Sequence, residues 1–222
     1  VVVWASNSHD RAITYDALTT SILLSWLELN MKALSLFYLC LISPKTAVQE
    51  ILKNFVSYYL FTGLLIFLFA QASSNISFHM IDPVGLNIFG SFLQLVGAVT
   101  VGLVHMILFC FVIHAMVTTM GYQGSYVKLL AWDLFSQAPM TLLCSFWILG
   151  KSFEVFLGNA VLAGLVYFFT LALLFIQCFY LLGLGIQQNY GFTSWGKSFL
   201  VMAASVFICL GIYIVLFSGL FA

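Results

Sequence analysis

Charge is what this sequence has least of. Seven basic and seven acidic residues make up only 6% of the 222 positions, against 63% hydrophobic residues. A water-soluble domain of this length cannot cover its surface with so few charges. The net charge is zero, so no basic surface for nucleic acid is expected. Paired cysteines are missing too. Cys40, Cys110, Cys144, Cys178 and Cys209 stand singly, with no CxxC or Cys/His spacing, which argues against a disulfide framework or a zinc site. They read as small buried hydrophobes. Catalytic signatures are likewise absent: there is no GxSxG, no HExxH, no paired aspartates in adjacent apolar runs and no phosphate-binding glycine loop. Neither an enzyme, nor a metal, nor a cofactor is expected.

Long apolar runs dominate what is present, and the mean hydropathy is +1.12. A membrane-spanning helix needs roughly twenty apolar residues. Five runs qualify: Phe55–Ala72, Phe92–Met120, Tyr126–Leu149, Phe156–Gln187 and Phe199–Phe221. Breaks are predicted at Ser73–Ser91, which contains Asp82-Pro83, and at Gly121–Ser125, Gly150–Val155 and Gln188–Ser198. Short turns force antiparallel neighbours. The expected fold is all-α: a polytopic membrane bundle of five transmembrane helices over residues 55–222, preceded by interfacial amphipathic helices in a segment at 1–54.

That first segment has its own pattern. Ser21, Ser25, Glu28, Lys32 and Ser35 recur at helical spacing and form one polar stripe, flanked by Ile22, Trp26, Leu29 and Phe37. Such a helix lies in the membrane interface; the alternative is that 33–43 dips into the bilayer or packs on the bundle. Pro44 ends it. Ser43-Pro44 then reads as an N-cap followed by proline at the first helical position of a second short helix, with Lys45, Gln49 and Lys53 on one side.

Basic residues orient the chain. With the N-terminus cytoplasmic, Arg11, Lys32, Lys45, Lys53, Lys128 and Lys197 all fall inside, and Lys151 alone falls outside. Five spans then place the C-terminus outside.

Polar residues within the spans are the candidate site. His105 and His114 share the second run, nine residues apart and thus on nearly opposite faces. Reflected across the turn near Tyr122, His114 lies level with Ala131–Asp133, which suggests a His114–Asp133 pair. Gln137 extends that face, and Pro139 puts a kink beside it. Two readings follow for His105, His114, Asp133 and Gln137. One is an ion or proton site; the other is polar glue between helices, and glue is the commoner use of such residues. Ala98 and Gly102 are the nearest approach to a small-residue dimer motif.

Certain phrases resemble the Ypt-interacting-protein (Yip) family of five-span membrane proteins. They are Ile42-Ser43-Pro44-Lys45 with Ala47, Glu50 and Ile51; Gly121-Tyr122-Gln123-Gly124-Ser125-Tyr126; Ala131 leading to Ala138-Pro139; Tyr180, Gly183 and Gly185; and Ser194, Lys197 and Ser198. The resemblance implies a cytoplasmic N-terminus. Eukaryotic members serve ER–Golgi traffic and bind Rab-type GTPases, usually through an acidic, aromatic phrase before the first span. No such phrase stands in Val1–Lys45, which puts GTPase binding in doubt and favours a prokaryotic-type member in the bacterial inner membrane over one in the ER or Golgi. The expected function is non-enzymatic: organising a membrane or scaffolding a complex, with the lipid bilayer and a protein partner or second copy as its contacts. The alternative is a small transporter or channel working through His114 and Asp133.

Overall fold

A computed structural model describes residues 31, 32, 34–53, 57–81, 88–158 and 160–220. Of the predicted interfacial stripe, Ser21, Ser25 and Glu28 lie outside these, as does Asp82-Pro83. The chain divides into two compact units, 1–38 and 39–222. In the first, residues 31, 32 and 34–38 are helical, with Lys32 and Ser35 exposed.

The second unit is built of helices, with no strand among the described residues. They are α1 (Pro44–Lys53), α2 (Ser57–Ile81), α3 (Ile88–Thr119), α4 (Tyr126–Ser136), a 3₁₀ turn (Ala138–Leu142), α5 (Leu143–Leu157), α6 (Ala160–Tyr190) and α7 (Trp195–Leu220). Four contain stretches long and apolar enough to cross a membrane: Tyr58–Ile76, Phe92–Thr119, Ala160–Tyr190 and Trp195–Leu216.

Three predicted boundaries are corrected. The first run does not end at Ala72, because α2 continues to Ile81. Ser73 does not end it, and finds side-chain hydrogen-bond partners on a neighbouring segment. The turn expected at Gly150–Val155 is helix as well. Gly150 is buried against the Ala163 carbonyl, and Lys151 pairs with Glu154 at 2.6 Å along the helix. The chain turns instead at Gly158, whose φ of 63° caps α5 in the left-handed region. Lastly, Tyr126–Leu149 is not one helix. It is broken into α4, the 3₁₀ turn and α5, because Pro139 has no N–H to give and its ring displaces the preceding turn.

Though broken, this composite rod keeps its course. Trp132 meets Leu181 and Gly185, Met140 and Leu143 cluster with Leu174 and Cys178, and Gly150 meets Ala163. The pairing advances evenly in opposite directions, so α4, the 3₁₀ turn and α5 run antiparallel to α6 along nearly its full length. Gly63 and Ser73 of α2 line up with 131–135 and 141–144 in the same sense, so α2 and the rod are parallel. α3 and α7 are antiparallel, from Lys197 beside Tyr122 to Tyr213 beside His105.

At one end of the bundle, α3, α4, α6 and α7 share a core that includes Ile113, Val117, Leu129, Ile186 and Met202. Outward faces carry exposed apolar residues such as Phe69, Phe111, Phe168 and Phe207. Gly102 lies against Phe67 of α2, where a Cβ would come within 2.9 Å of the ring. It therefore serves packing within the chain and is not free to form the dimer face that Ala98 and Gly102 suggested.

The short α1 starts where expected. The Ser43 carbonyl accepts from the Thr46 and Ala47 amides, and the Ser43 and Thr46 hydroxyls share a hydrogen bond at 2.8 Å. Ala47, Val48 and Ile51 are buried, while Lys45, Gln49 and Lys53 are exposed. The buried stripe packs on α6 and α4. The Lys128 ammonium donates to the Leu52 carbonyl at 2.6 Å, meeting a helix C-terminus with positive charge.

Candidate functional site

The site is assembled around α4, whose start is held firmly. Ser125 caps it by accepting from the Lys128 amide at 3.4 Å. Asn189 clasps the same serine from α6, donating to its carbonyl at 2.9 Å and accepting from its amide at 3.3 Å. Gly124 is required here, since a Cβ would run into the Tyr190 ring. Nearly two turns into the helix, the Trp132 indole donates to the Leu181 carbonyl at 2.7 Å and lies flush on Gly185, where no side chain would fit. These fastenings fix how Asp133 is presented.

Asp133 is 4% exposed. Its Oδ2 accepts from the Cys110 thiol at 3.3 Å. The Ser136 hydroxyl lies 3.2 Å from Oδ1 and 2.6 Å from the Asp133 carbonyl. Its single proton serves one of them at a time, and the shorter contact is to the carbonyl. Gln137 Nε2 stands 3.5 Å from the Ser136 hydroxyl, at the outer limit of a hydrogen bond.

The histidines part company. His114 Nδ1 shares a 2.8 Å hydrogen bond with the Tyr190 hydroxyl and tilts against Tyr126. His105 Nδ1 shares one of 3.0 Å with the Tyr213 hydroxyl and stacks between Tyr213 and Phe109. The expected His114–Asp133 pair is thus replaced by Cys110–Asp133, one helical turn away. The physical reason is the connection itself: α3 ends at Thr119 and α4 starts at Tyr126, so reflection about the middle of that turn sets Asp133 level with residues 111–112, nearer Cys110 than His114.

A cavity of about 240 Å³ lies beside this cluster. His105, Asp133, Ser136, Gln137 and Gln71 supply its polar lining; His114 does not reach it. No known family, curated protein or solved structure matches this chain. Chemical reading of the site therefore rests on geometry alone. Among the described residues no group of three His, Cys, Asp or Glu side chains is placed to hold a metal ion.

The break in the rod carries a further polar element. Ser73 of α2 donates to the Thr141 carbonyl at 3.1 Å and accepts from the Cys144 amide at 2.9 Å. Backbone groups where the 3₁₀ turn passes into α5 must be satisfied within the protein if lipid surrounds it, and this serine takes two of them. Thr141 adds a bond from its own hydroxyl to the Ala138 carbonyl at 2.7 Å. Ser73, Gln71, Cys110, Tyr190 and Tyr213 are not singled out by the sequence pattern as part of the polar cluster. Only the polar character of Ser73 and Gln71 near the end of an apolar run could flag them.

Proposed function

We propose that this chain is a five-span integral membrane protein of the Yip kind that organises a membrane or a complex and has no catalytic role. Support for the fifth crossing comes from the composite rod, which follows α6 for nearly the length of that 31-residue helix. A segment antiparallel to a membrane-spanning helix over such a distance crosses with it. The break in the rod is compatible with a crossing because Ser73 takes the Thr141 carbonyl and the Cys144 amide where the 3₁₀ turn passes into α5.

The single observation behind an organising role is how α1 is mounted. The Lys128 ammonium fixes its last turn, its apolar stripe seals against α4 and α6, and Gln177 Nε2 reaches the Leu41 carbonyl at 3.5 Å. Lys45, Gln49, Glu50 and Lys53 are left outward. The bundle thereby displays a charged, ordered helix at the end that the basic residues assign to the cytoplasm. Transport through His114 and Asp133 receives less support, since the imidazole is engaged with Tyr190 and the carboxyl with Cys110.

Gentle extraction from the native membrane followed by mass determination tests the organising role. A stoichiometric protein partner, lost on reversing the charges of Lys45, Glu50 and Lys53, is the expected outcome. A homo-oligomer or monomer carrying lipid alone would overturn it.

A further inference from the structure

The cavity beside Asp133 opens sideways, and the reason lies in the helix paths. α7 meets α6 near Gly183, where Trp195 and Met202 pack against the glycine. From there α7 follows α3, reaching His105 through Tyr213. A gap is left between α6 and α7. Phe175 and Phe179 form one edge and Val206 the other; all three line the cavity and are roughly half exposed. They lie well inside helices apolar enough to cross a membrane, so the gap faces the lipid side of the bundle and not an aqueous end.

The inner wall is polar and incompletely satisfied. Gln71 has no hydrogen-bond partner among the described residues, and its amide rests over Gly102, whose missing side chain makes the room. Gln137 has only its long contact to Ser136. An amide without a partner in an apolar setting costs on the order of 1–3 kcal/mol by mutational data. A polar guest would recover that. No lysine or arginine lines the cavity, and the one histidine there, His105, has its Nδ1 engaged by Tyr213, whereas a carboxyl group faces the space, so an anionic guest would meet Asp133 with no fixed cation to offset it. Some 240 Å³ suits a head group and not a whole lipid; the tail must leave through the gap.

We propose that this cavity is a lateral binding site for a membrane amphiphile whose head group donates hydrogen bonds and bears no negative charge. Gln71, Gln137 and Asp133 receive the head, and the tail lies along Phe175 and Phe179. Hydroxyl heads (diacylglycerol) and amine heads (a long-chain primary amine) share this chemistry. The proposal needs the bundle to be in a membrane but does not depend on its organising role, which the partner experiment tests separately.

The full chain, purified in mild detergent, would be titrated with diacylglycerol, with hexadecylamine and with phosphatidic acid, following thermal stability and bound mass. Saturable stabilisation by diacylglycerol or by the amine, without a response to phosphatidic acid, is expected; whichever acts identifies the head group. Val206→Trp fills the gap from an exposed position and should weaken binding about tenfold or more at unchanged basal stability. Gln71→Leu should weaken binding likewise from the inner wall, while raising basal stability because the unpartnered amide is gone. An equal response to phosphatidic acid, binding unaffected by Val206→Trp, or stabilisation by sodium ions with none by either amphiphile would overturn the proposal.

Discussion

The thiol of Cys110 points at the carboxyl of Asp133, 3.3 Å away, across the contact of α3 with α4. A cysteine that composition alone assigns to apolar packing is therefore the hydrogen-bond donor for the most deeply placed acid in the described bundle. Both are buried, so removing the thiol leaves Oδ2 without its donor. Cys110→Ala should cost about 1 kcal/mol, and Cys110→Ser, a better donor of similar size, should cost less. Chemical denaturation in mild detergent would rank the two; the reverse order would show that the thiol serves packing only.

Gly185 and Trp132 offer a harsher test. The indole occupies the place where a Cβ would be, so Gly185→Ala should displace the ring, break its bond to the Leu181 carbonyl and cost about 3 kcal/mol or more. Gly164 lies in the same helix, with nothing within 4 Å of the place a methyl group would take. Gly164→Ala should be neutral or mildly stabilising. Melting temperatures of the two variants should differ in sign or by several degrees.

Ser73 holds the broken rod together from a buried position. Ser73→Ala removes the partner of the Cys144 amide and should destabilise by about 1–3 kcal/mol. Hydrogen exchange of the amides from Thr141 to Ser145 should accelerate in the variant. Unchanged exchange there would mean that the 3₁₀ turn supports itself.

Lys128→Met keeps the aliphatic stem but removes the ammonium that meets the Leu52 carbonyl. α1 should then loosen from the bundle. Tryptic cleavage after Lys45 and Lys53, both exposed, should speed up by several-fold while the rest of the protein stays resistant.

Cys40, ahead of α1, is fully buried, and burial pushes its thiol from the ordinary value of 9.0 up to about 12. Reagents that need a thiolate should modify it only slowly at pH 8. The sign for stability follows from linkage: below pH 9 the thiol is neutral whether folded or unfolded, and contributes no pH dependence. Between pH 9 and about 12 only the unfolded chain ionises, so stability should fall as pH rises through that window. Cys40→Ala should flatten the decline.

Much of the helical layout is legible because membrane-length apolar runs leave the chain few alternatives. The runs beginning at Phe92 and Phe199 correspond closely to α3 and α7, and Ser43-Pro44 marks the start of α1 to the residue, since capping is a local property. Sequence misleads where a residue's effect depends on its neighbours. Gly150 reads as a turn but is a close approach to α6, and Ser73 reads as a loop but is buried at the 3₁₀ break.

Of the candidate site, Asp133, Gln137 and His105 are brought to one cavity, while His114 is drawn to Tyr190. Periodicity places residues on a helix face but does not say how far one helix is shifted along another. A shift of one turn, about 5.4 Å, is enough to exchange His114 for Cys110 as the partner of Asp133.

By itself, then, the sequence determined that the chain is helical, carries apolar runs of membrane length and is perturbed at Pro139, because composition, run length and a missing N–H act locally. The tertiary structure alone decided which polar groups meet. Gln71, Cys110, Asp133 and Gln137 come from three separate segments, and their meeting depends on packing of Trp132 on Gly185 and Phe67 on Gly102. Contacts of that kind are set by the shapes of facing surfaces, which no periodicity along one stretch of chain encodes.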